Sequence, residues 1–150
     1  MTSNLIKSPS RLFSFQDEAD VKQAILNAEL DTSGEIRVHI ESTCQGDVLD
    51  RAAFIFEKLN MHNTEMRNGV LFYLAVKNRK FAVIGDVGIN VNVPESFWEE
   101  LNMEILSYFR ENQFAEGLIY GIGRTGEYLK KYFPYQKGDR NELSDDISYG

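Results

Sequence analysis

The chain has 150 residues, a formal net charge of −7, and a hydrophobic fraction of 43%. A single domain of this size buries enough apolar surface to fold without disulfides or structural metals. The acidic balance disfavours binding to nucleic acid or to an anionic lipid surface, because both draw on clustered lysine and arginine, and it favours a cation or a basic partner.

The cysteine content and the N-terminal sequence exclude further classes of protein. Cys44 is the only cysteine, which excludes an intrachain disulfide and a cysteine-based zinc site. We expect it to be a small buried residue rather than a reactive thiol. The N-terminus lacks the apolar stretch of a signal peptide, and no window approaches the roughly 18 apolar residues of a membrane span. We therefore expect a cytoplasmic protein without direct membrane insertion, beginning with a flexible arm over residues 1–13.

The folded part is predicted to begin with a helix over 15–30. Ser14 stands three residues before Asp17, a variant of the capping box, and apolar residues follow at helical spacing. The segment 35–41 then alternates between polar and apolar residues, which predicts a strand with one well-buried face. A second helix follows, with Asp47 as its expected N-cap.

Two apolar strands come next. Residues 69–76 form a continuous run of branched and aromatic side chains, as expected of a central strand covered on both faces. The polar turn 77–80 leads into a return strand over 81–89, so the two strands form a hairpin. Two further helices are predicted, one opening at Pro94 and one spanning 114–133.

This order of elements defines a topology. The first strand–helix–strand unit should be a right-handed parallel crossover, and the hairpin makes the third strand antiparallel. We therefore predict an α/β fold with a mixed sheet and helices on both faces. The domain is expected over residues 14–133, and residues 134–150 are expected to be an acidic, mobile tail without helical or strand period.

The topology brings three polar segments to one edge of the sheet, namely the starts of the first two strands and the finish of the third. Their side-chain oxygens come from Asp31, Glu35, Glu65, Asn68 and Asp86. Hard cations such as Ca²⁺ need about six to eight oxygen ligands, several of them carboxylates, so the set predicts a calcium site. Ordinary turn chemistry is the alternative, in which Asp86 pairs with Arg67 or accepts backbone N–H groups.

Other polar groups are weaker candidates. Asp145 and Asp146 would add ligands if the tail folds back on the domain. The opposite edge of the sheet holds few special residues, and we expect His39 and His62 to be surface or satisfied histidines rather than catalytic bases. The glycine pattern of 121–126 is like a dinucleotide fingerprint, but it lies in a predicted helix and follows no strand.

The sequence resembles the TPM domain family, named for thylakoid, photosystem and worm-membrane members. Three stretches carry the resemblance: "TSGEIRVHIEST" (32–43), "RNGVLFYLAVKNRKFAVIGDVGIN" (67–90) and "YFRENQFAEGLIYGIGRTGEYL" (108–129). The family implies a three-layer, Rossmann-like α/β/α sandwich with a mixed sheet of about four strands, whereas the residue patterns predict three. The fourth strand would lie within 89–94 or at the chain ends.

The resemblance also implies functions. Some members of the family bind calcium, some have weak acid phosphatase activity, and others assist the assembly of membrane complexes. The positions that match the family are Glu35, Asn68 and Asp86, whereas Asp31 and Glu65 come from the topology alone. We expect a Ca²⁺-binding, non-catalytic accessory or interaction domain with a basic or membrane-embedded protein partner.

Two alternatives remain open. The first is a metal-assisted acid phosphatase of low activity, in which the cation polarises a phosphoryl group and Arg67 holds its oxygens. The second is a metal-independent interaction module that uses the acidic face or the tail. The sequence contains no known nucleophile–base motif, which favours a role without catalysis.

Overall fold

The computed structural model describes residues 14–135 and 142–150, so the predicted arm over 1–13 lies outside the described residues. The helices are α1 (Phe15–Glu29), α2 (Val48–Lys58), α3 (Val87–Asn90), α4 (Glu95–Arg110) and α5 (Phe114–Tyr132). The strands are β1 (Glu35–Glu41), β2 (Gly69–Ala75), β3 (Lys80–Gly85) and β4 (Ser148–Tyr149). In the described segments, none of the helices combines the length and the apolar character that crossing a bilayer would require.

The sheet has four strands in the order β3-β2-β1-β4 and lies between two helical layers. β1 is parallel to β2 and to β4, whereas β3 is antiparallel to β2. Apolar side chains of α1, α4 and α5 form one core with one face of the sheet, and those of α2 form the other core. The predicted three-layer α/β/α sandwich is thereby confirmed.

Side-chain alternation in β1 positions the polar groups discussed below. Ile36, Val38 and Ile40 are fully buried in the larger core, beneath α1, α4 and α5. Because side chains alternate along a strand, the polar side chains from Glu35 to Glu41 face the α2 layer instead. The alternation therefore places two glutamates on the sheet face that α2 covers.

The end of the hairpin differs from the prediction. The strand predicted over 81–89 is wrong at its C-terminal end, because β3 stops at Gly85 and the short helix α3 follows. Asp86 caps this helix, accepting the N–H of Val87 at 2.7 Å. A Cβ atom at Gly88 would lie 2.6 Å from the carbonyl oxygen of Arg67, so only glycine permits this close approach.

The C-terminal segment, predicted as a mobile tail over residues 134–150, contributes a strand to the sheet. Residues 148–149 form β4, which pairs with β1 through His39–Ser148 and Ile40–Tyr149. Just before this strand, Asp146 forms an ion pair with Lys22 at 2.8 Å. The fourth strand is therefore found at a chain end, one of the two expected places. A strand of two residues carries no periodic signal, so its sequence could not reveal it.

Candidate functional site

Two buried glutamates mark the two ends of β1. Glu35 is 3% exposed and Glu41 is 5% exposed, both on the face of the sheet that α2 covers. Removing a carboxylate from water costs several kcal/mol unless hydrogen bonds or opposite charges compensate it. The surroundings of these two carboxylates therefore decide what each end of the strand can do.

Glu35 lies where two loops cross at the start of β1. Its Oε1 accepts the backbone N–H groups of Glu142 and Leu143, each at 2.5 Å. The carboxylate of Glu142 in turn accepts the N–H of Glu65 at 3.2 Å, in the loop that precedes β2. The segment before β4 and the loop before β2 therefore meet over Glu35.

A second carboxylate, Glu29, lies beside this crossing. Its Oε2 accepts the N–H of Ile36 at 2.7 Å on the edge of β1. Burial, followed by a hydrogen bond with Asp145, raises the pKa of Glu29 to about 10. Burial also raises the pKa of Glu35 to about 7, and the charges of Glu142 and Asp145 add to this rise against two backbone hydrogen bonds. We call Glu29, Glu35 and Asp145 the acidic crossing.

Glu29 and Glu35 have no compensating cation among the described residues. Across 14–135 and 142–150, neither Glu29 nor Glu35 forms an ion pair with lysine, arginine or histidine. In the same described segments, no three His, Cys, Asp or Glu side chains stand close enough together to hold a metal ion. The crossing is therefore a cluster of carboxyl groups, two of them with a raised pKa, rather than a finished cage of ligands.

Three of the five residues expected to form the calcium site lie near the crossing without closing it. Asp31 is exposed, with one oxygen 3.9 Å from Lys130 Nζ. Glu65 is exposed and takes part through its backbone N–H rather than its carboxylate. Asn68 is 1% exposed and donates from Nδ2 to Ser33 Oγ at 3.2 Å, while its Oδ1 has no hydrogen-bond partner among the described residues.

Asp86 takes part in different contacts. Its two carboxylate oxygens accept hydrogen bonds from Nε and Nη2 of Arg67 at 2.7 and 2.8 Å, in addition to the N–H of Val87. This matches the turn chemistry that the sequence offered as the alternative. Gly69 lies between Asp86 and Glu35 in the sheet, bonded to Asp86 and in register with Glu35. Because Met61 and Leu143 cover Gly69, they separate the two carboxylates.

Glu29 was not expected as a site residue, although the sequence carries a signal for it. It is the last residue of α1, and that last turn contains no basic residue. An acidic side chain at a helix C-terminus opposes the helix dipole, so it needs another reason to be there. The proximity of Asp145 depends on the fold of the C-terminal segment, which only the structure reveals.

The other end of β1 holds a compensated carboxylate. Glu41 accepts hydrogen bonds from Arg51 Nε and Nη2 at 3.0 and 2.6 Å and another from the Tyr73 hydroxyl. Burial alone would raise the pKa of Glu41, but these bonds outweigh burial and lower it to about 2. We call Glu41, Arg51 and Tyr73 the compensated cluster.

His39 links the compensated cluster to the C-terminal strand. It is 4% exposed, with Nδ1 2.7 Å from Ser148 Oγ and Nε2 3.4 Å from Glu41 Oε1. Burial lowers the pKa of this imidazole, against the opposing influence of Glu41. The sequence does not single out this edge of the sheet, because few special residues lie there. The bond between Glu41 on β1 and Arg51 on α2, 10 residues further on, has no sequence signal.

Known proteins with a similar sequence or a similar fold identify the family of this chain. The TPM domain profile matches residues 6–128. The NMR structure of BA42 protein from the psychrophilic bacterium Bizionia argentinensis is 44% identical, with 92% of this chain and 95% of that chain covered and a TM-score of 0.86. A search of curated proteins gave no match.

Two more distant structures share the fold. The N-terminal domain of cg2496 protein from Corynebacterium glutamicum is 14% identical, covers 78% of this chain and 74% of that chain, and has a TM-score of 0.63. The N-terminal domain of a protein from P. gingivalis is 19% identical, covers 81% of this chain and 79% of that chain, and has a TM-score of 0.67. From the profile match and the relative at 44% identity, the chain belongs to the TPM domain family.

Proposed function

We propose that the chain is a non-catalytic accessory or interaction domain that binds a divalent cation, Ca²⁺, at the acidic crossing. The observation that supports this most is the crowding of Glu29, Glu35 and Asp145 where two loops meet. Asp145 adds to the raised pKa of both Glu29 and Glu35, so keeping these carboxyl groups ionised beside one another costs free energy. A hard cation reverses this cost because it binds the deprotonated groups.

The ligands in this proposal come from the two crossing segments. Glu29, Glu35 and Asp145 would supply carboxylate oxygens, while water and backbone carbonyls would complete the coordination that Ca²⁺ requires. Asp86 and Asp31 lie outside the proposed set, because the first is bonded to Arg67 and the second is exposed beside Lys130. Binding would draw the C-terminal segment closer to the start of β1.

Thermal unfolding of the EDTA-treated protein, titrated with Ca²⁺ and separately with Mg²⁺, tests this proposal. A ligand that binds only the native state adds about 2.7 kcal/mol at a concentration of 100 Kd, so the melting temperature should rise and saturate. The Glu35→Gln variant should lose this rise. Glu116→Gln, an exposed residue on α5, is the matched control and should keep it. A flat response at millimolar Ca²⁺, or an equal rise in Glu35→Gln, would contradict the proposal.

The phosphatase alternative gains no specific support from the geometry. Arg67 and Asp86 line a cleft of about 450 Å³ together with His62, but two donor groups of Arg67 already bond to Asp86. A phosphate would have to displace that carboxylate. The membrane-embedded or basic protein partner and the cytoplasmic location stay predictions, which co-purification and cell fractionation would test.

A further inference from the structure

β3 ends the sheet on the side opposite to β4, and no strand of the described residues pairs with its outer edge. The N–H of Asp86 donates to the carbonyl of Gly69 at 2.9 Å, and hydrogen-bonded pairs alternate along an antiparallel ladder. Alternate residues of β3 therefore bond to β2. The backbone N–H and C=O groups of Phe81, Val83 and Gly85 point away from the sheet, where another strand could pair with them.

Two helices turn this edge into a groove. Val48 and Leu49 of α2 and Trp98 of α4 line a hollow of about 380 Å³ along β3. The cleft of about 450 Å³ continues this hollow past α3. The two hollows share Ile84, Gly85 and Asn90. We call the combined feature the β3 groove.

The walls of the β3 groove combine exposed apolar surface with main-chain hydrogen-bonding groups. Leu49 and Val87 are each 57% exposed, although both are large apolar side chains. Of the outward backbone groups, only the Gly85 carbonyl is occupied in the described residues, by Asn90 Nδ2 at 3.1 Å. An open edge strand beside apolar walls is the geometry that extended peptides use when they add a strand to a sheet.

The charged residues of the β3 groove determine which kind of peptide would fit there. The charged residues that line the β3 groove are Glu57, Arg67, Asp86, Glu95 and Glu99. Arg67 is paired with Asp86, whereas the three glutamates form no ion pair within the described segments. If a second copy of this chain paired through its β3, the Glu95 and Glu99 of its α4 would enter the groove. The like charges of the two copies would then repel. The groove is therefore complementary to a basic segment.

We propose that the β3 groove binds an extended basic segment of a partner protein by β-strand addition. Its backbone would pair with the outward groups of Phe81 and Val83. Because side chains of a strand alternate between faces, one set would contact the apolar wall around Leu49 and the other would reach Glu95 and Glu99 on α4. Lysine or arginine in the second set and branched apolar residues in the first give the expected sequence pattern.

The test uses the whole chain with EDTA present, so its result does not depend on cation binding. The probe is a blocked heptapeptide in which lysine alternates with valine, titrated into ¹⁵N-labelled protein. We expect chemical-shift changes and slowed hydrogen exchange at the amides of Phe81, Val83 and Gly85. The same peptide with glutamate in place of lysine should leave these amides unchanged.

A pair of charge-reversal variants makes the test specific. Glu95→Lys with Glu99→Lys should weaken binding of the lysine peptide about tenfold, since two favourable charge contacts become repulsive. Glu116→Lys with Glu127→Lys changes the net charge equally on exposed positions of α5 and should leave affinity within about twofold. Equal weakening in both variants, unchanged β3 amides, or protection of these amides by protein concentration alone would overturn the proposal.

Discussion

The two ends of β1 each hold a buried glutamate, and the pKa values of the two glutamates shift in opposite directions. Glu35 and Glu41 are both buried on the α2 face, yet the pKa of Glu35 is raised to about 7 and that of Glu41 is lowered to about 2. Arg51 and Tyr73 bond to Glu41, whereas Glu35 has other carboxylates as neighbours. Burial alone therefore does not fix the state of a buried acid, because the charges around it decide the sign of the shift.

The comparison separates a structural role from a binding role. The compensated cluster satisfies its own charge and needs nothing from solution. Within the described residues, no cationic side chain pairs with Glu29 or Glu35, so a cation from solution would stabilise their deprotonated forms.

Removing Arg51 should have the largest effect. Arg51→Met leaves Glu41 buried without its ion pair, which should lower the free energy of unfolding by about 3 kcal/mol, at the low end for buried pairs because Arg51 is partly exposed. Urea denaturation at pH 7 measures this loss. Arg124→Met, which breaks a more exposed pair with Glu104, is the control and should cost less than about 1 kcal/mol. Equal losses in the two variants would contradict the claim that the buried pair of Glu41 and Arg51 stabilises the fold more than an exposed pair does.

The pH dependence of the metal-free protein should differ between the two glutamates. The pKa of folded Glu35 is raised above the value of 4.5, so its contribution is fully present below pH 4.5 and is lost as the pH rises through about 7. Relative to Glu35→Gln, the wild type should lose about 2 kcal/mol of unfolding free energy over this window. Taking the difference removes the opposite contribution of neutral His39, which falls away below pH 6.5.

Glu41 should respond in the other direction and in another window. Because its folded pKa is lowered to about 2, its contribution is present above pH 4.5 and is lost as the pH falls through about 2. Urea denaturation of the wild type and of Glu41→Gln between pH 2 and pH 4.5 would show this loss. The same sign for Glu35 and Glu41 in these experiments would contradict the comparison.

The smallest effect is expected at Asp86. Asp86→Asn removes the ion pair with Arg67 and weakens the cap of α3, which should cost about 1 kcal/mol because Arg67 is half exposed. Its Ca²⁺-induced rise in melting temperature should remain. A loss of that rise in Asp86→Asn would return this residue to the ligand set that the sequence predicts.

The sequence predicts the layers of this fold well, because they depend on local patterns. Alternation fixes which residues of β1 face α2, and the apolar run of β2 fixes its central place. The end of β3 is not fixed by local pattern, since Asp86 suits either a cation ligand or ordinary turn chemistry. The contacts of Glu29 with Asp145 and of Glu41 with Arg51 depend on how distant elements dock, which no local pattern encodes.

The most direct test of the account is the titration of the glutamate side-chain carboxyl groups by ¹³C NMR, with EDTA and then with saturating Ca²⁺. In EDTA, Glu35 should titrate with a pKa of about 7 and Glu41 with a pKa of about 2. With Ca²⁺, the pKa of Glu35 should fall below 4.5, because the cation favours the charged form, while that of Glu41 stays in place. An unchanged pKa of Glu35 in saturating Ca²⁺ would contradict cation binding at the acidic crossing.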